Sequence, residues 1–240
     1  MKSLTPLSEL YQKLLALYGP QGWWPVSTEA QTWENKAGNQ GYHPGNFEIP
    51  ENEAQQLEIC LGSILTQNTN WRNAAQAVAQ LRTLKDFSFS GIGNMPIDQL
   101  EEAIRVAGYF RQKARYLKNL MDFLSCCSFT DLQQMSLPAA RSKLLKIKGI
   151  GPETADCILL YALKRPSFVV DAYSKRFLLQ LGMISTQESY GKVQSLFESS
   201  IPREVSVYQE YHALLVAHGK EYYSKKPYGV GDPLLTFQLS

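Results

Sequence analysis

The stretch from Leu144 to Phe177, LLKIKGIGPETADCILLYALKRPSFVVDAYSKRF, decides how this 240-residue chain is read. An apolar run leads into Lys148-Gly149-Ile150-Gly151-Pro152, where two glycines let the backbone turn tightly and approach a ligand without interference from Cβ atoms. Pro152 suits the first position of a following helix, whose unpaired amides face outward and favour an anion such as a phosphate. The helix after it is amphipathic, and a proline-containing loop then ends in Val169-Val170-Asp171-Ala172-Tyr173. A glycine turn alone is a weak signal, because short helix connections often contain one. The order and length of the whole run give it weight. Asp171, standing before Ala-Tyr-Ser-Lys-Arg-Phe, also reads as a helix N-cap.

Working outward, apolar residues recur at helical spacing in most of the chain, as in Leu57, Cys60, Leu61, Ile64 and Leu65, or Val207, Tyr208, Tyr211, Leu214 and Leu215. The pattern predicts an all-α protein, with further helices over about 4–18, 71–84, 111–125, 137–146, 153–164, 171–182, 187–199 and 203–223. No stretch approaches the roughly 18 apolar residues of a membrane span, and the N-terminus MKSLTPLSELYQK has no apolar signal core. A soluble, cytoplasmic protein is expected, monomeric and without a membrane partner. Cys60, Cys126, Cys127 and Cys157 lack C-x2-C spacing, so neither a zinc site nor a disulfide framework is expected. A formal net charge of +2 does not announce nucleic acid, so that case rests on where the charges lie. Lys146, Lys148, Lys164, Arg165, Lys175 and Arg176 gather around the glycine turn and the Asp171 loop, where they could track phosphates or form a solvated face. Between Gly19 and Pro50 lies a long segment rich in Gly, Pro, Asn, Gln and aromatic residues, too long for an ordinary helix connection. No function attaches to its part from His43 to Pro50.

The 144–177 run resembles the helix-hairpin-helix motif, Gly/Pro-rich loop and aspartate of the endonuclease III superfamily of base-excision repair glycosylases. The likeness extends upstream to Leu65-Thr66-Gln67-Asn68-Thr69, similar to the family's L-S-x-Q-x-T segment, and downstream to His218-Gly219-Lys220. The resemblance implies two helical lobes with an interlobe cleft. A central barrel over 53–165 would end in the hairpin, and a discontinuous lobe of 1–52 plus 166–240 would carry the aspartate. It also implies double-stranded DNA with a damaged base as partner. Asp171 would be the catalytic carboxylate, stabilising an oxocarbenium-like sugar or activating the nucleophile. Gln67 would fill the gap left by the flipped base, and Lys148, Gly149, Gly151 and Lys175 would bind DNA.

Two departures from the family pattern narrow the expectation. Bifunctional members carry a lysine that forms a Schiff base with the sugar, whereas Glu153 stands at that position here, eighteen residues before Asp171. A carboxylate cannot form an imine, so lyase activity is not expected and water is the expected nucleophile. The family's iron–sulfur loop is also altered. No cysteine follows Cys157, and Tyr223, Gly229 and Asp232 stand where the first three ligands align. No iron–sulfur cluster is expected, and Tyr222, Tyr223, Tyr228 and Phe237 are expected to pack in its place. A monovalent cation at the hairpin is the one cofactor allowed for.

Both departures resemble the bacterial 3-methyladenine DNA glycosylase III type. There a W-P pair and an aromatic after T-Q-N-T shape a pocket that stacks an alkylated purine. Trp24, Pro25 and Trp71 match those positions, with Trp23 as neighbour, and Glu153 and Lys220 are assigned to the same pocket. A cationic alkylpurine stacks well on electron-rich rings and is already a good leaving group. Core packing is the competing reading for the tryptophans. An exposed helix lysine is the competing reading for Lys220, which that branch carries in carbamylated form. Two alternatives stay open: an endonuclease III-like glycosylase for oxidised pyrimidines or mismatches, and a non-catalytic helix-hairpin-helix module that only binds DNA.

Overall fold

Asn52 accepts a hydrogen bond from the Gln55 amide at 3.0 Å and starts helix α2, Glu53–Leu65, in which every residue from Leu57 to Leu65 is buried. A helix that is apolar on nearly all sides belongs at the middle of a core. The structure is a computed structural model that describes residues 5–27 and 41–235. Among these there is no strand, and the order is α1 Pro6–Tyr18, α2, α3 Trp71–Arg82, α4 Phe89–Asn94, α5 Ile97–Ala103, α6 Phe110–Cys126, α7 Phe129–Gln134, α8 Leu137–Leu145, α9 Pro152–Cys157, α10 Ala172–Gln180, α11 Tyr190–Ser200 and α12 Val205–Tyr222. The all-α expectation holds. None of these helices is long and apolar enough to cross a membrane.

The chain divides into two units. One comprises Pro25–Gly41 and Glu48–Arg165. Its core surrounds α2: Ala74, Ala77 and Leu81 from α3, Leu117 and Leu120 from α6, and Ile158 to Leu163 after α9 are all nearly inaccessible. Each large aliphatic side chain buried this way is worth about 2 kcal/mol relative to exposure. The helix expected over 153–164 is α-helical only to Cys157 and widens into a π turn over Ile158–Ala162. The chain then leaves at Lys164, where φ is 50°. In α8 and α9, the two hairpin helices, Arg141 Nε and Nη2 donate to the fully buried Asp156 carboxylate at 2.8 and 2.9 Å.

The other unit comprises Met1–Trp24, Tyr42–Phe47 and Pro166–Ser240. Here α12 takes the central place, buried almost continuously from Tyr208 to Val216. Leu7, Leu10 and Leu14 of α1 lie in the same core, and the Tyr211 hydroxyl donates to the Leu7 carbonyl at 2.9 Å. Phe168 stacks on Phe197 of α11 with ring centroids 4.2 Å apart. Helices α10 and α12 approach at Gly219, where an added Cβ would lie 2.3 Å from Tyr173. No disulfide joins the four cysteines; Cys60, Cys127 and Cys157 are buried and Cys126 is exposed.

Candidate active site and nucleic-acid interface

The hairpin is built from two glycines with different tasks. Gly149 has φ +104° and its missing Cβ would sit 2.2 Å from the Tyr116 ring, so both backbone and space demand glycine there. Gly151 has an ordinary φ of −88° and nothing within 4 Å of an added Cβ. Gly149 therefore makes the turn, and Gly151 keeps the outer face bare for whatever approaches. Between them Ile150 is buried, anchoring the turn to its unit.

Gln67 reaches this turn. Its Nε2 lies 3.0 Å from both the Gly149 carbonyl and the Thr154 hydroxyl, so the glutamine and the hairpin are brought together. Lys148 and Glu153 are exposed on either side of the turn, and the Lys148 carbonyl accepts from Asn119 Nδ2 at 2.8 Å. Lys143, Lys146 and Lys148 rim an open basin with Asn119, Asp122, Phe123 and Ile147. Three other members of the basic group are committed to the fold. Arg165 donates to the Leu132 carbonyl at 2.8 Å, Lys164 pairs with Glu48, and Arg176 donates to the Tyr223 carbonyl at 2.9 Å. Trp71 opens α3, half-buried, and Pro25 is buried in the same unit.

Two residues of this unit escaped the sequence reading. Lys113 is buried, and its Nζ donates to the Leu65 carbonyl at 2.7 Å and the Ala107 carbonyl at 2.8 Å. Burial lowers its pKa to about 8. The lysine ties the start of the Thr66–Thr69 segment to the turn before α6. That turn presents Tyr109, 66% exposed with φ 47°. A large side chain held in the left-handed region and in solvent is rare enough to be a signal, but nothing in Gly108-Tyr109-Phe110 alone reveals the backbone angle.

In the other unit Asp171 sits immediately before α10. Its Oδ1 accepts from the Ser174 amide at 2.7 Å and the Ser174 hydroxyl at 2.6 Å, while Oδ2 receives no hydrogen bond from any described residue. The helix-cap reading is thus observed in one oxygen of the carboxylate, and the cap does not use the other. Burial lowers the pKa of His212 on α12, against an opposing pull from the Asp171 charge. Lys175 is half-buried with Nζ 3.5 Å from the Glu188 carbonyl.

Trp23 and Trp24 are both buried, in an edge contact at 5.3 Å, and Tyr42 lies against Trp23 at 5.6 Å. The Lys220 ammonium stands 5.3 Å from the Trp23 ring centroid. Although Lys220 as a residue is exposed, the protein atoms crowded around its ammonium lower its pKa. Lys220 is thus an exposed helix residue whose ammonium faces Trp23, the residue the sequence marked as a neighbour of the pocket pair.

The residues at the iron–sulfur positions do not fit a thiolate cluster. The Tyr223 hydroxyl donates to Asp232 Oδ2 at 2.6 Å, and His218 Nε2 is 2.9 Å from the same oxygen. The Leu234 amide donates to Asp232 Oδ1 at 2.8 Å, and Gly229 has no donor side chain. Tyr222 lies 4.9 Å from His218, and Arg176 stands over Tyr228 at 4.7 Å. Phe237 lies outside the described residues.

The HhH-GPD superfamily of base excision DNA repair proteins matches residues 61–203. Among the relatives, MJ1434 of Methanocaldococcus jannaschii, a provisionally assigned DNA repair glycosylase, is 36% identical over 237 residues, which is 97% of this chain and 95% of that one. Endonuclease III of Sulfolobus acidocaldarius is 31% identical over 70% of this chain and 74% of its own. Among solved structures, the 3-methyladenine DNA glycosylase MagIII of H. pylori bound to 1,N6-ethenoadenine has 27% identity and a TM-score of 0.68, covering 91% of this chain and 98% of that one. Endonuclease III in a non-covalent DNA complex shares the fold, with a TM-score of 0.69 at 17% identity over 98% and 94% of the two chains. The chain belongs to the HhH-GPD superfamily and is a base excision repair DNA glycosylase.

Proposed function

We propose that this glycosylase hydrolyses only the N-glycosidic bond of alkylated purines such as 3-methyladenine, in double-stranded DNA, with Asp171 as the catalytic carboxylate and water as the nucleophile. The observation that carries the reading is the division of labour in Asp171: Oδ1 is spent on the helix cap and Oδ2 is left for chemistry. In the reaction the bond from C1′ to the purine nitrogen breaks with its electron pair going to the base. An N-alkylated purine is cationic in the nucleotide and leaves neutral, so it needs no proton from the enzyme. The Asp171 charge stabilises the oxocarbenium-like sugar, water adds through its oxygen to C1′, and its proton passes to the carboxylate.

Glu153 supports the monofunctional reading, since it offers no amine where a Schiff base would form. The Trp23–Trp24–Tyr42 group and the Lys220 contact to Trp23 support the aromatic part of the pocket, to which the resemblance alone adds Pro25 and Trp71. Burial lowers the Lys220 pKa, the direction that carbamylation of its amine requires. Gln67 would take the place of the flipped base, and Lys148, Gly149, Gly151 and Lys175 would hold the backbone. The protein works as a monomer without an iron–sulfur cluster. A monovalent cation at the hairpin would use second lone pairs of carbonyls such as those of Lys148 and Gly149, and no step depends on it.

The likeness to endonuclease III favours a second reading, excision of oxidised pyrimidines. Duplexes containing 3-methyladenine, 7-methylguanine, thymine glycol or uracil, each incubated with the protein with and without later alkali, separate the two. Excision of the alkylpurines with strand breaks only after alkali is expected. Thymine glycol release with breaks before alkali, or a borohydride-trapped adduct with the wild-type protein, overturns the assignment. Glu153→Lys is expected to introduce some trapping if position 153 reaches the sugar C1′.

A further inference from the structure

The segment 42–47, which overlaps the His43–Pro50 stretch to which the sequence assigned no role, lies on the backbone before the paired tryptophans. The His43 amide donates to the Gly22 carbonyl at 3.1 Å. Gly22 has φ +65°, and a Cβ there would lie 2.2 Å from the Pro44 nitrogen, so the two strands of chain touch backbone to backbone. The imidazole spans the contact: Nε2 is 2.9 Å from the Trp24 carbonyl oxygen and Nδ1 is 2.7 Å from the Asn46 carbonyl oxygen.

A carbonyl oxygen only accepts. A neutral imidazole has one N–H and one lone pair, so either tautomer would aim a lone pair at an oxygen within hydrogen-bond distance. Only the imidazolium donates to both. We propose that His43 is a positioning residue that acts as an imidazolium, pinning the Trp24 carbonyl to the 42–47 segment so that the Trp23–Trp24 pair is held while His43 keeps its proton. Its part in base binding rests on the alkylpurine reading; the pin itself does not.

The charged surroundings agree. Glu210 of α12, whose pKa burial raises against the opposing pull of His43, accepts the Gln21 amide at 2.6 Å, so the two side chains grip the 21–24 backbone at its two ends. Lys220 faces the far partner, Trp23. Tyr42, whose pKa burial pushes up to about 12, stays neutral throughout the working range.

The test is a proton NMR titration of the full chain labelled on its histidine and tryptophan rings. His43 is assigned by its disappearance in His43→Gln, and Trp23 and Trp24 by phenylalanine variants. On the acid side of the His43 midpoint, two ring N–H protons protected from solvent exchange are expected, and the Trp23 and Trp24 indole signals should move with that same midpoint. Indoles that stay fixed across the titration, or only one protected ring proton, overturn the proposal whatever the enzyme excises. In parallel, His43→Gln should raise KM on the excised duplex about tenfold, the cost of one charge-assisted hydrogen bond, with kcat changed less than twofold. Near wild-type KM with a collapsed kcat overturns the positioning role. A protein that shows the indole coupling but excises no alkylpurine keeps the pin and loses the substrate assignment.

Discussion

The two units each bury an aspartate, and they use it differently. In the hairpin unit Asp156 is gripped by both arms of the Arg141 guanidinium, a cation that does not titrate in any ordinary buffer. In the aspartate unit Asp232 is gripped by neutral or titratable donors, Tyr223 and His218. The hairpin helices are therefore tied by a charged bidentate pair, whereas the C-terminal loop is tied by a phenol and an imidazole sharing one carboxylate oxygen. Asp171, the half-exposed aspartate, is the third case, with one oxygen structural and one not.

The sharpest way to break this comparison is at Asp171. Asp171→Asn should lower kcat by about 10³-fold, the range of removing a charge aimed at the transition state. Melting temperature should stay within about 3 °C, because asparagine caps a helix as well as aspartate. Duplex affinity should persist in a gel-shift assay. Wild-type excision by this variant would leave the aspartate a helix cap and nothing more.

Removing the buried partner comes next. Asp156→Ala should cost about 3 kcal/mol in urea unfolding, since it strands the Arg141 guanidinium. A loss below about 1 kcal/mol would mean that the hairpin helices are held by packing alone.

The two glycines sharpen the contrast within the hairpin. Gly149→Ala should cost about 2–3 kcal/mol from the positive φ and the Tyr116 overlap. Gly151→Ala should cost under about 0.5 kcal/mol in stability yet weaken duplex binding. Equal stability losses in thermal melts would refute the separate tasks assigned to them.

The smallest effect concerns acid. Burial pushes the Asp232 pKa up, but the bonds from His218, Tyr223 and Leu234 outweigh it and leave the carboxyl below its ordinary 3.8. A depressed carboxyl contributes stability that is complete above pH 3.8 and is lost as pH falls through the folded value. Asp232→Asn should remove that portion of the acid dependence, read as a flatter stability profile below about pH 4, while Asp156 variants leave the C-terminal loop's exchange protection alone.

Long periodic helices such as α2, α6 and α12 were legible because their apolar spacing recurs over three or more turns. The short helices α4, α5 and α7 were not, since each buries a single large residue, Ile92, Leu100 and Leu132, which gives no period to read. Their signals were local: Ser88 and Ser128 are side-chain caps, the latter with Asp131 in a capping box. The π turn after Cys157 was invisible because an uninterrupted apolar run fits either helix type. At the candidate site, Asp171 and the glycine turn could be read because their chemistry is carried by residue type. Lys113, Tyr109, His212 and His43 could not. Their roles come from burial, backbone angle or a distant carbonyl, none of which a single sequence displays. Residues 28–40, the middle of the long aromatic segment, lie outside the described residues.

The placement of the thiols has a consequence for an enzyme meeting the electrophiles that alkylate DNA. Burial pushes the Cys60 thiol far up, and a protonated thiol is a poor nucleophile. Cys127 and Cys157 are shielded by the fold, which leaves Cys126 at the end of α6 as the exposed sulfur. A methylating or carbamidomethylating reagent should consequently label the folded protein once, at Cys126, well away in sequence from both the hairpin glycines and Asp171. On the proposed alkylpurine reading, such a protein keeps working among the same reagents that make its substrate.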